Sequence, residues 1–255
     1  MATYKKRGYK PKTKVEKEEQ YGEDSTTAEV FNTLDESASR TEEWAVENQK
    51  YIFIIVGVVA IIVLGYLGYQ KFIVEPKASE GMNEMYVAQK NFTDALNGTA
   101  KDSLFTLSLN GAEGKFGMVD IAEEYKGTPA GNLANYYAGI AYLNLRDYKN
   151  AIEYLNDFDT DDEILGPIAA GSIGDAFAQL NQPEDALDQY EKAYKMNTND
   201  YTTPMYLYKA ATIAYQQGDT KTALEYFQKI KDEFSKSNEA QNIDVFIGRA
   251  EASVE

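Results

Sequence analysis

The run Tyr51 to Tyr69, YIFIIVGVVAIIVLGYLGY, carries no charged residue and shows no polar face. At 1.5 Å per residue, about 20 helical residues reach across the ~30 Å hydrocarbon core of a bilayer. A core helix of similar length in a soluble domain interrupts its apolar side chains with polar ones at helical spacing, and this run does not. The pattern predicts a transmembrane helix over 51–70, with the lipid bilayer as a partner. Lys50 and Lys71 flank it, and Trp44, Tyr51, Tyr66 and Tyr69 supply the aromatic rings that favour a membrane–water interface. These six residues are the membrane-interface candidates. Gly57, Gly65 and Gly68 do not make a GxxxG spacing, so no helix dimerisation motif is present in the run.

Two oppositely charged stretches precede it. Lys5, Lys6, Arg7, Lys10, Lys12 and Lys14 fall in the first fourteen residues without an acid, whereas residues 16–47 hold eleven acids against Lys17 and Arg40. Residues 1–25 have too little apolar surface to offset the entropy of ordering, and a disordered tail is expected there. Over 26–50 a juxtamembrane amphipathic helix is expected, opened by a Thr26–Glu29 capping box and carrying Val30, Phe31, Leu34, Ala38 and Ala45 at helical spacing. Lys and Arg counts close to the membrane do not choose an orientation. The tail as a whole holds nine of the 25 basic residues, which favours a cytoplasmic tail and a translocated C-terminal domain. The basic start would then face anionic lipid or a ribosome.

Composition narrows the chemistry. The 255 residues include no His and no Cys, so imidazole catalysis, thiolate nucleophiles, disulfides and His or Cys metal sites are excluded. A net charge of −16 argues against nucleic-acid binding over the whole surface. The segment DFDTDDE, Asp157 to Glu163, invites a calcium-loop reading. Its sixth position is Asp162 rather than Gly and its twelfth is Ile168 rather than Glu, so EF-hand geometry fails and a solvated turn is expected. Asp120, Glu123 and Glu124 read as the wet face of a short helix. No phosphate loop and no nucleophile with its base are found, and the chain is expected not to be an enzyme and to need no cofactor or metal.

Residues 71–255, with 16 basic and 30 acidic residues, are long enough for a sizeable core. Three segments share one design: AGIAYLNLRDYKNAIEYL from Ala138, IGDAFAQLNQPEDALDQYEKA from Ile173 and AATIAYQQGDTKTALEYFQKI from Ala210. Each is an apolar helix, a tight polar turn and a second helix with a small residue in its first turn. Ala151, Ala186 and Ala223 recur at intervals of 35 and 37 residues, as do Gly139, Gly174 and Ala211. Small residues permit close helix crossing, and an aromatic fills the space beside them: Tyr142 and Phe177 first, Tyr190 and Phe227 second. The first repeat departs with Leu155 and Phe158, the third with Ala214 next to Tyr215, and none has a closing Pro. This period resembles the tetratricopeptide repeat, so the expected fold is all-α, one transmembrane helix followed by a helical solenoid. Residues 130–255 hold the repeats and a capping helix over 238–253. Residues 71–129 supply a linker and a degenerate first hairpin, with helices over 77–97 and Phe116–Tyr125 and a loop between 97 and 115.

With TEEWAVENQKYIF entering the membrane, ASEGMNEMYVAQKNF leaving it, and the repeats around Ala151 and Ala186, the order of parts over about residues 40 to 235 resembles the YfgM-like ancillary subunits of the bacterial Sec translocon. Residues 1–24 have no counterpart in that pattern. The resemblance implies a bacterial inner-membrane protein with a cytoplasmic N-terminus and a periplasmic repeat domain. It implies a non-enzymatic role beside Sec translocon subunits, a membrane-anchored periplasmic chaperone or isomerase, and nascent secretory chains. A scaffold for another envelope machine, in outer-membrane protein assembly or secretion, is the alternative. Asp102-Ser103-Leu104 also resembles a bacterial O-glycosylation triplet.

In such solenoids the first helix of each repeat lines the concave face. The repeat register places Tyr136, Ile140 and Asn144, then Asp175 and Gln179, then Tyr208, Thr212 and Tyr215 on that face as protein-binding candidates. The expected groove is aromatic, amide-bearing and acidic, without basic residues to clamp a peptide carboxylate.

Overall fold

The computed structural model describes residues 44–112 and 114–253, all helical or connecting, with no strand among them beyond an isolated bridge between Ala112 and Lys115. The basic and acidic start, the Thr26–Glu29 box and most of the helix expected over 26–50 lie outside the described residues. The chain divides into two compact units, Met1–Tyr69 and Gln70–Glu255.

In the first unit, α1 (Gln49–Tyr69) buries none of its residues. Among the described residues one helical stretch, Gln49–Asn97, is long and apolar enough to cross a membrane, and it begins well inside the chain rather than at its first residues. Ile54, Ile61, Leu64 and Leu67 are each more than half exposed, so the described residues provide no apolar cover for this helix.

The second unit opens with a π-helical turn, Gln70–Val74, and then α2 (Glu75–Asn97), α3 (Lys101–Asn110) and α4 (Met118–Glu124). The expected loop between 97 and 115 is corrected here, because ten of its residues form α3. The stretch looks polar, but Phe105, Ser108 and Leu109 share a buried face, and Phe105 meets Phe92 of α2 edge-on at 5.5 Å. Tertiary burial overrides a weak local pattern. On α2, Met85, Ala88 and Phe92 turn inward, while Met82, Tyr86 and Leu96 remain exposed.

Three helix pairs follow: α5 (Pro129–Asn144) with α6 (Tyr148–Asn156), α7 (Leu165–Gln179) with α8 (Pro183–Met196), and α9 (Thr202–Gln216) with α10 (Thr220–Glu233). Helix α11 (Ile243–Ala252) packs on α10 and closes the array with Ile243, Ile247 and Ala250 inward. Each pair is held by the small residues read from the sequence. Ala151, Ala186 and Ala223 are wholly buried. A Cβ on Gly139 would lie 2.5 Å from Leu155 Cγ, and one on Gly174 would lie 2.7 Å from the Tyr190 ring. Leu155 thus occupies in the first repeat the place Tyr190 takes in the second, which is why the aromatic is dispensable there.

The three turns are built alike. Arg146, Asn181 and Gly218 stand just past the first helix of each pair with φ of 65°, 59° and 84°. Behind each the next N–H reaches back to the last turn: Asp147 N–H to Tyr142 O, Gln182 N–H to Phe177 O, Asp219 N–H to Ala214 O. These bonds, with the shorter ones from Arg146, Asn181 and Gly218, satisfy orphan carbonyls in a Schellman arrangement. The carboxylates of Asp147 and Asp219 then cap the second helix by accepting from Asn150 N–H and Thr222 N–H.

Only glycine occupies that left-handed position without a Cβ penalty, so the first repeat carries a local cost at Arg146. Arg146→Gly is expected to stabilise the domain by ~0.5–1 kcal/mol and Gly218→Ala to destabilise it by a similar ~1 kcal/mol. Urea denaturation of the two variants measures both; opposite signs are the required outcome.

Candidate functional site

Helices α5, α7 and α9 supply the eight residues expected on the concave face, and the structure gives them different surroundings. Asn144 is exposed and donates to its own helix at Ile140 O, 2.8 Å away. Gln179 is exposed and accepts from the Tyr148 hydroxyl at 3.4 Å, linking α6 to α7. Tyr215 is 37% exposed, its hydroxyl 3.2 Å from Ser253 Oγ on the capping segment. Tyr136 lies against Phe158 at 5.1 Å and Tyr137 at 5.8 Å. Burial, and secondarily Tyr137, push the Tyr136 phenol above its ordinary pKa. Ile140 packs against two cores, and Tyr208 against Phe227 and Phe246. Thr212 donates to Tyr208 O at 2.8 Å.

Asp175 is the hub. Its Oδ1 accepts from the Tyr190 hydroxyl at 2.8 Å and from Lys209 Nζ at 2.7 Å, and its Oδ2 accepts from Lys209 Nζ at 2.8 Å. Lys209 Nζ also lies 5.6 Å from the Tyr190 ring centre and 5.5 Å from that of Tyr206, two rings within 16° of parallel. A Cβ on Gly171 would meet the Tyr206 ring at 1.8 Å, so that residue's lack of a side chain admits the ring. Lys209 stands beside Asp175, and its charge is already answered by that carboxylate, so it is poorly placed to clamp a peptide terminus. Asp175 and Lys209 are opposite in charge and 34 residues apart, but the interval between these two repeats is 37, so the register pairs Asp175 with Thr212 and does not single out Lys209.

A matching link joins the second helices. Tyr226 of α10 donates its hydroxyl to Glu191 of α8, 35 residues away, and Lys195 donates to the same carboxylate. Burial raises the Glu191 pKa, but the bonds from Lys195 and Tyr226 and the Lys195 charge outweigh it and hold the carboxyl below its ordinary value. Burial first, then the Asp175 charge, raises the Tyr190 and Tyr206 phenols far above 10. Burial and the Glu191 bond do the same to Tyr226. The remaining candidates, Trp44, Lys50, Tyr51, Tyr66, Tyr69 and Lys71, are all exposed, and Lys71 stands 3.9 Å from Glu75. Among the described residues no three acids converge in a way that would hold a metal ion.

Models of the tetratricopeptide repeat match residues 133–160 and 172–238, spanning most of α5 and α6 and then α7 through α10. No curated protein matches the chain. Tetratricopeptide repeats are therefore detected in this chain, and with them the general capacity of such repeats to receive protein partners.

The raised phenols set an alkaline limit. A pKa above the unfolded value of 10.0 gives stability that is fully present below pH 10 and lost as pH rises through the folded value. Tyr190, Tyr206 and Tyr226 should ionise only together with loss of helical circular dichroism. Tyrosinate absorbance recorded against ellipticity checks this, and Tyr190→Phe should diminish the part of the absorbance change that coincides with unfolding.

Proposed function

We propose that this protein is a membrane-anchored, non-enzymatic scaffold whose repeat domain receives other proteins on its concave face. The observation that carries the reading is the pairing, in one chain, of an apolar helix with no buried residue and an array of tetratricopeptide repeats. The sixteen side chains of the run Tyr51–Tyr69 left in water are a large liability, and lipid removes it at roughly 1.5–3 kcal/mol for each large aliphatic or aromatic one. On the concave face Asn144, Gln179 and Tyr215 are the contacts most open to a partner. Tyr136, Ile140, Tyr208 and Thr212 form its partly buried floor, and Asp175 holds the groove's shape through Lys209.

In this reading residues 1–50 are cytoplasmic, residues 51–70 span the inner membrane of a bacterium, and residues 71–255 are periplasmic. The partners are Sec translocon subunits and a membrane-anchored periplasmic chaperone or isomerase, near emerging secretory chains. The order of membrane entry, exit segment and repeats supports that assignment. A role in another envelope machine differs from it only in the partner.

Two measurements test the proposal. A reporter active only in the periplasm, fused after Glu255, is expected to work, and a cytoplasm-only reporter there is expected to be silent; the reverse pattern refutes the topology. Affinity purification in mild detergent is expected to recover translocon subunits with a periplasmic isomerase, and to lose them in Asn144→Ala/Gln179→Ala/Tyr215→Ala. Recovery of outer-membrane assembly or secretion machinery instead transfers the scaffold to the second machine.

A further inference from the structure

The register that places Gly139, Gly174 and Ala211 at the three helix crossings has a fourth member. Gly248 stands 37 residues after Ala211, the interval that separates Ala211 from Gly174. It lies in the middle of α11, where Ile243 and Ile247 are buried as Tyr206 and Ala210, 37 residues earlier, are buried in α9. Helix α11 thus has the register of a first helix, and it packs on α10 as α9 packs on α8. What differs is the crossing. A Cβ on Gly174 would lie 3.2 Å from Ala186 O of its paired helix, and Ala211 is wholly buried. Gly248 is exposed, and nothing among the described residues lies within 4 Å of where its Cβ would be. Glycine is among the least favourable residues inside a helix, and open space gives this one no packing reason. A cap that met only solvent would be better served by almost any other residue.

The second helices point to the same place. Glu191 lies five residues after Ala186, and from there it accepts the hydroxyl of Tyr226, three residues after Ala223 on the next second helix. Gln228 lies five residues after Ala223, so it holds the position of α10 that would meet a further second helix. It borders a cleft of about 480 Å³ between α10 and α11, with Leu224, Asp232 and Glu233 on its own side and Glu251 opposite. Glu251 is one turn beyond Gly248 on the same face of α11. Lys231 Nζ stands 2.8 Å from Asp244 Oδ1 and ties α10 to α11, and Gln228 Nε2 donates to Asp232 Oδ1 at 3.3 Å. The register of α11 and the register of α10 therefore converge on one uncovered surface.

We propose that α11 is the first helix of an incomplete fourth pair, and that an amphipathic, basic helix of another polypeptide completes it, crossing at Gly248 and lying along the cleft beside α10. The three complete pairs specify this occupant. It brings Ala or Gly to the crossing, where Ala151, Ala186 and Ala223 stand in the existing pairs. Three residues on it carries a hydroxyl or amine donor, opposite Gln228, as Tyr226 stands opposite Glu191. Its flanks are cationic, because the positions that Leu207 and Ala214 fill in α9 are Asp244 and Glu251 in α11. Glu225, Asp232 and Glu233 add three carboxylates against Lys229 along the cleft. The surface is separate from the concave face, whose open contacts Asn144 and Gln179 stand on α5 and α7.

The test uses the full-length protein in mild detergent and fluorescence anisotropy of a labelled peptide. The peptide is residues 219–233, the second helix of the third pair with its cap, carrying Glu225→Lys, Asp232→Lys and Glu233→Lys. It should bind, and its unmodified parent should bind severalfold more weakly. Ala223→Leu in the peptide and Gly248→Leu in the protein should each weaken binding about tenfold or more, because the two helices can no longer close on one another. Gly248→Leu should not lower the melting curve of the free protein, since its side chain enters open space. Gly248→Ala should bind as the wild type does, because Ala211 fills that position in the third pair. The proposal is overturned by an absence of binding, by a Gly248→Leu variant that binds undiminished, or by a parent peptide that binds as tightly as the basic one. Loss of binding in Asn144→Ala/Gln179→Ala also overturns it, because that places the peptide in the concave groove. Self-association of the protein without peptide, abolished by Gly248→Leu, assigns the face to a second copy and overturns it too.

Discussion

Close approach of paired helices, permitted by side chains too small to separate them, is the constraint on which the repeat domain rests. Ala151, Ala186 and Ala223 are wholly buried at the three crossings, and Gly139 and Gly174 leave room for Leu155 and Tyr190. Interiors at crystal-like density do not accommodate an added methylene there without displacing a helix. The register of every other residue follows from this, including which side chains of α5, α7 and α9 are left to face a partner.

Once the pairs are stacked, residues of consecutive repeats that are 34 or 35 positions apart in sequence become neighbours in space. Asp175 with Lys209 joins α7 to α9, and Glu191 with Tyr226 joins α8 to α10. At about one-third exposure, the Asp175–Lys209 pair is partly screened by solvent and contributes modestly by itself. Its larger effect is on position, since it ties α7 to α9 through the same carboxylate that receives Tyr190.

Much of this was legible in the residues. The crossing alanines and glycines and the tight turns announce themselves by spacing, and the detected repeats fall where that spacing puts them. Helix α3 was not legible, because KDSLFTLSLN has the composition of a loop and becomes helical only when Phe105 and Leu109 find α2. On the concave face the helix register gave addresses but not environments. Nothing local to Tyr136 or Tyr208 says that their rings meet Phe158 or Phe246, residues from other helices. Lys209 carries no mark in the sequence for a related reason, since its partner Asp175 lies 34 residues away on another helix.

The apolar cores of the repeat domain differ in size, and the smallest sits where α6 meets α7. A stack of helix pairs opens most easily where least apolar surface is shared, since opening free energy tracks local burial. Leu155, Ala169 and Ile173 are the buried members of that small core, with half-buried Tyr136, Ile140, Ile152, Phe158 and Phe177 packed against them, whereas the Asp175–Lys209 and Glu191–Tyr226 ties both lie beyond it. On that ground the α6–α7 junction is where the array is expected to bend first.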